Sequence, residues 1–262
     1  AGGSPSIPSV LVTVLSVPPM TPITNALPDI PRSYTAICEW AACMVYIAVS
    51  YRRVPLRRSI IVSAAGLASL VAVQYFDGSM PIWFWIIGML LAFACMYATI
   101  LLGAGTGKRE GLYITARAFV LAELVASHWQ IVTFIGVRDG FADYDWRAIA
   151  LLVVTYALCF GLAWMVERGN FSQATPTLPT ASAAIATMAI MIVTFAMSNL
   201  SFVSTNTPFS GSVGQEIFYI RTLVDFCGFA ILYAQQEQAR RIEANTELAS
   251  INAQLESRLR NS

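Results

Sequence analysis

Seven long apolar segments dominate the chain, each close to the roughly 20 residues that a helix needs to cross a bilayer. Short stretches rich in charged residues, Gly, Pro, Ser or Thr separate them. This pattern predicts an all-α, polytopic membrane protein with about seven transmembrane helices. The predicted segments are Ser33–Tyr51, Ser59–Phe76, Ile82–Leu102, Leu112–Val137, Ala148–Val166, Ala181–Leu200 and Gly214–Ala234.

The seventh segment differs from the others because no Pro or Gly ends it. The residues after Ala234, QQEQARRIEANTELASINAQLESRLR, are polar but still favour a helix. We therefore predict one helix that runs out of the membrane into water. The chain divides into an extracellular segment (1–32), a seven-helix membrane domain (33–234) and a cytoplasmic helix (235–262). Residues 1–19 precede a plausible native start at Met20, and we expect them to be an added segment or a leader without function.

The cytoplasmic helix carries a short apolar seam. Leu248, Ile251 and Leu255 follow a 3–4 spacing, while Arg241 and Arg258 interrupt the same line. About two heptads is less than a coiled coil usually needs. A lone solvated helix and a parallel dimer therefore both stay open. The dimer is favoured because the membrane segment already fixes the direction of the seam.

Composition supports a membrane location and excludes nucleic acid as a partner. The chain is 56% hydrophobic and 12% charged, against roughly 25% charged residues in soluble domains. Its net charge is +1, and it has no basic stripe of the kind that binds nucleic acid. The five cysteines all fall in apolar segments without metal-ligand spacing, so we interpret them as packing residues.

The loop charges predict the orientation. Basic residues gather in the loops on one side, including Arg52–Arg58, Lys108 and Arg109, whereas the opposite loops are rich in Asp. By the positive-inside rule, this places the N-terminus outside and the C-terminus in the cytoplasm, with membrane lipid around the bundle.

Ionisable residues inside predicted spans are candidates for function, because burying them in a membrane is costly. Glu39 and Arg221 are each about 9 Å from the outer ends of their helices, so we expect them to form an ion pair. Asp225, one turn from Arg221, is expected to share it. Arg117 lies close enough to the cytoplasm for its side chain to reach the water there.

Two interpretations of these residues stay open: a polar core that fixes helix packing, and an outward-facing pocket that binds a ligand. For the pocket, residues of the outer loops join the intramembrane set. The candidate ligand-binding or switch residues are Glu39, Glu123, His128, Trp129, Tyr144, Trp146, Phe202, Phe209, Arg221 and Asp225.

Several chemistries are excluded by the residue inventory. Lys108 is the only lysine and lies in a predicted loop, so there is no Schiff-base lysine for retinal. His128 is the only histidine, which excludes an HExxH metalloprotease. GAGTGKRE lacks the spacing of a phosphate-binding loop. We therefore expect no catalytic residue, cofactor or metal site in this chain.

Three stretches, DIPRSYTAICEWAACMVYI, SNLSFVSTNTPFSG and IFYIRTLVDFCGFAILYAQQEQ, resemble the membrane half of bacterial GHKL-type sensor histidine kinases. Receptors for peptide pheromones, of the Agr type, belong to that group. The resemblance implies a multi-pass sensor domain in the bacterial plasma membrane, an extracellular small ligand or peptide, quorum sensing and a homodimer. A response regulator would be reached only through kinase domains.

This sequence departs from the family pattern because it has no histidine after His128 and no ATP-binding boxes. The chain itself is therefore not expected to autophosphorylate. We expect a sensor half cut from a longer histidine kinase, or a natural protein that has lost its kinase domains.

A second hypothesis is a small proton-coupled transporter or permease that uses Glu39, Glu123 and Asp225 as a proton relay. Against it, no inverted repeat is visible, and no corresponding pair of helices is broken by Gly or Pro. A third possibility is a membrane scaffold whose tail binds a partner.

Overall fold

The computed structural model describes residues 32–50, 54–78, 84–136, 146–171, 181–205 and 211–260. These residues form seven helices and, within the described ranges, no strand, so the predicted all-α class is confirmed. The helices are α1 (Arg32–Val49), α2 (Leu56–Gly78), α3 (Trp85–Ala104), α4 (Lys108–Gly136), α5 (Trp146–Phe171), α6 (Ala181–Thr205) and α7 (Gly211–Arg260).

Four of the helices are long and apolar enough to cross a membrane. The qualifying segments are Leu56–Asp77, Trp85–Ala104, Ile149–Arg168 and Ala183–Leu200, in α2, α3, α5 and α6. The three helices outside this set, α1, α4 and α7, hold Glu39, Glu123 and Asp225 in their interiors. The chain is therefore a membrane protein by length and composition of its helices.

Helix α4 lies at the centre of the bundle. It packs against α1, α3, α5, α6 and α7, and residues 114–123 are buried without interruption. Large apolar side chains are instead exposed on the outer helices, for example Ile87, Leu158 and Ile192. Polar residues inside and apolar residues outside are typical of helices that face lipid. The helix that the sequence marks as most polar is thus the one that its neighbours shield.

The turn between α3 and α4 is shorter than predicted. Gly105 adopts a left-handed φ of 70°, and its N–H donates to the carbonyl of Leu101 at 3.1 Å, which closes α3. The N–H of Gly107 donates to Glu110 Oε2 at 3.3 Å. This acceptor in the first turn stabilises the start of α4 at Lys108, four residues before the predicted start.

Other helices also extend beyond their predicted apolar segments. Helix α5 continues to Phe171 and α6 to Thr205, and α7 already begins at Gly211. Of the predicted outer loop 201–213, residues 201–205 belong to α6 and 211–213 belong to α7, while 206–210 lie outside the described residues. Hydropathy marks where apolar side chains stop, whereas backbone hydrogen bonds carry a helix further.

Helix α7 is one unbroken helix of 50 residues, about 75 Å long at 1.5 Å per residue. The prediction that no break occurs near Ala234 is confirmed. Every described side chain from Ala244 to Arg260 is exposed, so the second half of α7 projects from the bundle.

Helices α2 and α3 approach closely where Gly66 faces Thr99. A Cβ at position 66 would lie 2.8 Å from Thr99 Cγ2 and 3.2 Å from its Cβ. We expect Gly66→Ala to destabilise the protein by about 1–3 kcal/mol, because a buried β-branched neighbour cannot move aside cheaply. Gly161→Ala is the matched control, since nothing lies within 4 Å of its new Cβ. Thermal unfolding in detergent compares the two, and equal melting temperatures would contradict the expectation.

Candidate functional site

Four buried residues join α4 to α7 and are here named the α4–α7 ion cluster: Glu123, Ser127, Arg221 and Asp225. The Arg221 guanidinium donates to Glu123 Oε2, and its Nε lies 3.8 Å from Asp225 Oδ2. The Ser127 hydroxyl lies 3.1 Å from Asp225 Oδ2 and 2.7 Å from the Glu123 carbonyl oxygen. One cation thus serves two carboxylates, and a hydroxyl ties the second carboxylate to α4.

The two helices of this cluster run antiparallel. Ser127 meets Asp225, whereas Tyr113, earlier on α4, meets Gln236, later on α7. Between these contacts Gly228 faces Val120, with 3.8 Å from a Cβ built on the glycine to Val120 Cγ1. The register is therefore fixed at three levels along α7.

The predicted sharing of Arg221 by Asp225 is confirmed, but the predicted ion pair of Glu39 with Arg221 is wrong. Glu39 instead accepts hydrogen bonds from Gln74 Nε2 on α2, at 3.1 and 3.2 Å. Equal depth in the membrane does not determine which neighbour a side chain faces. Helix α1 packs chiefly against α2, α4 and α5, whereas α7 packs against α6 and α4.

A second network, here named the Arg117 cluster, has a buried centre and joins four helices: Tyr46 on α1, Tyr113 and Arg117 on α4, Glu167 on α5 and Gln236 on α7. Arg117 pairs with Glu167 at 2.5 Å, and both side chains are 0% exposed. The Tyr46 hydroxyl donates to the same Glu167 oxygen at 3.2 Å.

The Arg117 cluster also holds α7. Arg117 donates to the backbone carbonyl of Leu232 at 3.1 Å and lies 3.4 Å from the Tyr113 hydroxyl. That hydroxyl donates to Gln236 Oε1 at 3.0 Å. The contacts at Leu232 and Gln236 lie where α7 passes from its packed half to its exposed half. Helix α4 therefore contacts α7 directly before α7 leaves the bundle.

Sequence reasoning missed this network. The prediction that Arg117 reaches water is wrong, because its side chain is completely enclosed and ion-paired. Glu167 was expected at the start of a loop rich in Ser, Thr and Pro, but it lies inside α5. The sequence gives one signal for the pair of Arg117 and Glu167: Glu167 is an acidic residue directly after the fifth apolar segment, and its charge is opposite to that of Arg117 on α4.

The other predicted site residues are dispersed. His128 directly follows Ser127 on α4 and is exposed, and Trp146 begins α5 and is also exposed. Trp129 and Phe202 belong to α4 and α6, but their side chains lie outside the described part of the chain. Tyr144 and Phe209 lie outside it entirely. The seam residues Leu248, Ile251 and Leu255 are exposed on α7.

The described residues include no group of three or more His, Cys, Asp and Glu that could hold a metal ion. The described cysteines are all free thiols, and Cys38 donates to the carbonyl of Ala122 at 3.2 Å, inside the packed core. The contacts observed between the helices of the site are ion pairs and hydrogen bonds.

Comparison of the chain with protein-family models, curated proteins and solved structures finds no match. The arrangement of buried charges therefore carries the functional argument. Its main features are two clusters shared by α4 and α7 and a long exposed continuation of α7.

Proposed function

We propose that this chain is the membrane sensor domain of a signalling receptor, in which α7 carries a change at the α4–α7 ion cluster to its exposed half. The continuity of α7 is the observation that carries this proposal. The two clusters contact α7 at Arg221 and Leu232, 11 residues or about 16 Å apart. A rigid helix held at two levels transmits a shift at one level to the other.

The contacts favour discrete arrangements of α7 over gradual sliding. Moving the helix along its axis would separate Arg221 from Glu123, Asp225 from Ser127 and Gln236 from Tyr113. An ion pair and hydrogen bonds that break together give a bistable element, which is what a switch needs. A ligand shifts such an element only when it binds the two arrangements unequally.

The ligand in this proposal is an extracellular small molecule or peptide. His128 is exposed and adjoins Ser127, so contact at His128 would reach the α4–α7 ion cluster through one residue of α4. Trp146 is exposed at the start of α5 and offers an aromatic surface. Trp129, Tyr144, Phe202 and Phe209 complete the proposed contact set.

The proposed topology has seven spans, the N-terminus outside and the tail in the cytoplasm of a bacterium. Burial supports spans for α1, α4 and α7, because Glu39, Glu123 and Asp225 are turned away from the surface of the bundle. Lipid then meets mainly apolar side chains. The sequence resemblance to GHKL-type sensor histidine kinases favours the same arrangement.

The exposed half of α7 is proposed to pair with the same helix of a second chain. Leu248, Ile251 and Leu255 are exposed and lie along one side. A second copy in the same membrane offers an identical seam at the same height, which favours a parallel dimer. The dimer would carry the signal to the kinase domains of a longer protein and, through them, to a response regulator.

A chimera tests the proposal. The chain is joined in helical register after Arg260 to the kinase core of a GHKL-type histidine kinase, and autophosphorylation is measured in membrane vesicles. We expect the peptide fraction of medium in which the source bacterium has grown to change the rate of autophosphorylation. Arg221→Ala and Asp225→Ala should each abolish this dependence, because they remove the ionic contacts that α7 makes with α4.

Arg241→Gln is the matched control, because its ion pair with Glu237 is exposed on the same helix. It should leave the response intact. A response that persists in both Arg221→Ala and Asp225→Ala would contradict the proposed route.

The transporter alternative draws on one observation, the burial of Glu39, Glu123 and Asp225 within a single bundle. Proteoliposomes separate the two functions. Uptake of labelled peptides or amino acids driven by a pH gradient, and lost in Asp225→Asn, would favour transport. The sensor proposal expects no uptake. Unlike the transporter alternative, it gives the exposed half of α7 a role.

A further inference from the structure

Glu39 on α1 is a buried carboxyl group that is paired with an amide. Its side chain is in the core, 3% exposed, and Gln74 on α2 is 4% exposed. Gln74 Nε2 lies 3.1 Å from Oε1 and 3.2 Å from Oε2 of Glu39. Among the described residues, Glu39 forms no ion pair. Gln74 is thus its polar partner within that part of the chain.

Among the described residues, the titratable groups that interact electrostatically with Glu39 are all acidic or neutral. They come from the helices packed against α1 as well as from α1 itself, and they are Cys38, Cys43, Asp77, Cys95, Glu123 and Tyr156. The carboxyl groups among them have cations of their own: Glu123 pairs with Arg221, and Asp77 interacts with Arg32. No described cation forms an ion pair with Glu39, and no described cation is among the groups that act on its charge.

The amide of Gln74 provides an independent indication. Its Oε1 atom is buried and has no hydrogen-bond partner among the described residues. An ionised carboxylate only accepts hydrogen bonds, so it cannot satisfy this oxygen. A carboxylic acid can, because its hydroxyl donates. Rotation of the amide about its last side-chain bond would then give two reciprocal hydrogen bonds, acid to amide oxygen and amide N–H to acid carbonyl.

We propose that Glu39 is a proton-binding site, occupied at neutral pH, whose neutral acid closes α1 onto α2 through Gln74. An ionised carboxylate without a cation is very costly in a bundle surrounded by lipid, and uptake of a proton removes that cost. In the α4–α7 ion cluster, by contrast, the positive charge of Arg221 balances the buried carboxylates. This site does not involve α7, so it stands apart from the proposed signalling route.

Infrared spectroscopy of the full chain in lipid nanodiscs tests the proposal at neutral pH. The difference spectrum between the wild type and Glu39→Gln should contain the carbonyl-stretching band of a protonated carboxylic acid, which shifts to lower frequency in deuterated water. Glu123→Gln is the matched control and should leave that band in place. If Glu39→Gln instead removes the bands of an ionised carboxylate and no acid band, the proposal is overturned.

Gln74→Leu reads the same site without altering the acid. The acid band should persist and move to higher frequency, because the carbonyl loses the amide N–H. A band that does not move would show that the acid is not paired with Gln74, and it would also overturn the proposal. Because Gln74→Leu keeps Glu39, this test remains available when Glu39→Gln does not assemble.

Discussion

The Arg117→Met variant is expected to lose about 3–5 kcal/mol of stability, because it leaves the Glu167 carboxylate buried without its cation. Both side chains of the pair are 0% exposed and 2.5 Å apart. The Leu232 carbonyl and the Tyr113 hydroxyl would lose the same donor. Glu167→Gln should be milder than Arg117→Met, since the amide oxygen can still accept from Arg117 and from Tyr46.

Unfolding in mixed micelles of a mild detergent and dodecyl sulfate measures these changes. The double variant Arg117→Met/Glu167→Met should recover most of the loss, because apolar side chains of similar length replace both charges together. The recovery separates the cost of a stranded charge from the cost of altered packing. A double variant as unstable as the single one would mean that packing alone explains the loss.

Arg241→Gln provides a control for the general effect of removing an arginine. Its ion pair with Glu237 spans 3.1 Å on α7, but its side chain is 76% exposed. We expect a change of roughly 0.3–0.5 kcal/mol, as for surface pairs one helical turn apart. Comparable losses in Arg241→Gln and Arg117→Met would contradict the buried character assigned to the Arg117 cluster.

The helices could be predicted from the sequence because each apolar segment is long and is bounded by polar or helix-breaking residues. The absence of Gly and Pro after Ala234 likewise predicted the unbroken α7. The bounds were less accurate at α4 and α5. There Lys108 and Glu167, which hydropathy assigns to loops, belong to helices.

The partners of the buried charges could not be predicted in the same way. Counting residues from a helix end gives depth, but a pair also needs the two side chains to face each other. Glu39 and Arg221 share a predicted depth, yet Glu39 faces α2 and Arg221 faces α4. Gln74 is a single amide within an apolar segment, so the sequence does not mark it as a partner of Glu39.

The central position of α4 agrees with its polar composition. Its polar residues make it the least typical membrane segment, and it packs against five neighbouring helices with residues 114–123 buried without interruption. By contrast, the proposed ligand contacts at Tyr144 and Phe209 stay predictions, since they lie outside the described residues. Short loops carry little periodicity, so the sequence offers no geometry for them.

The Arg221→Gln variant is expected to lose about 3–5 kcal/mol, because two buried carboxylates, Glu123 and Asp225, depend on the one cation. Mixed-micelle unfolding measures this loss. Asp225→Asn should cost only about 1 kcal/mol, since the amide oxygen can still accept from Ser127 and Arg221 keeps Glu123. The order of the two losses tests whether Arg221 is the shared centre of the cluster.

A second substitution distinguishes the stability lost through an unpaired buried charge from the stability lost through a missing contact. Glu123→Gln added to Arg221→Gln removes one of the two unpaired carboxylates and should restore part of the stability. Hydrogen exchange then locates the effect: in Arg221→Gln, amide protection should fall in α7 from 221 to 236 before it falls in α2 and α3. Protection that falls equally in all helices would mean that Arg221 supports the whole bundle. The ion cluster would then not be the element that sets the position of α7.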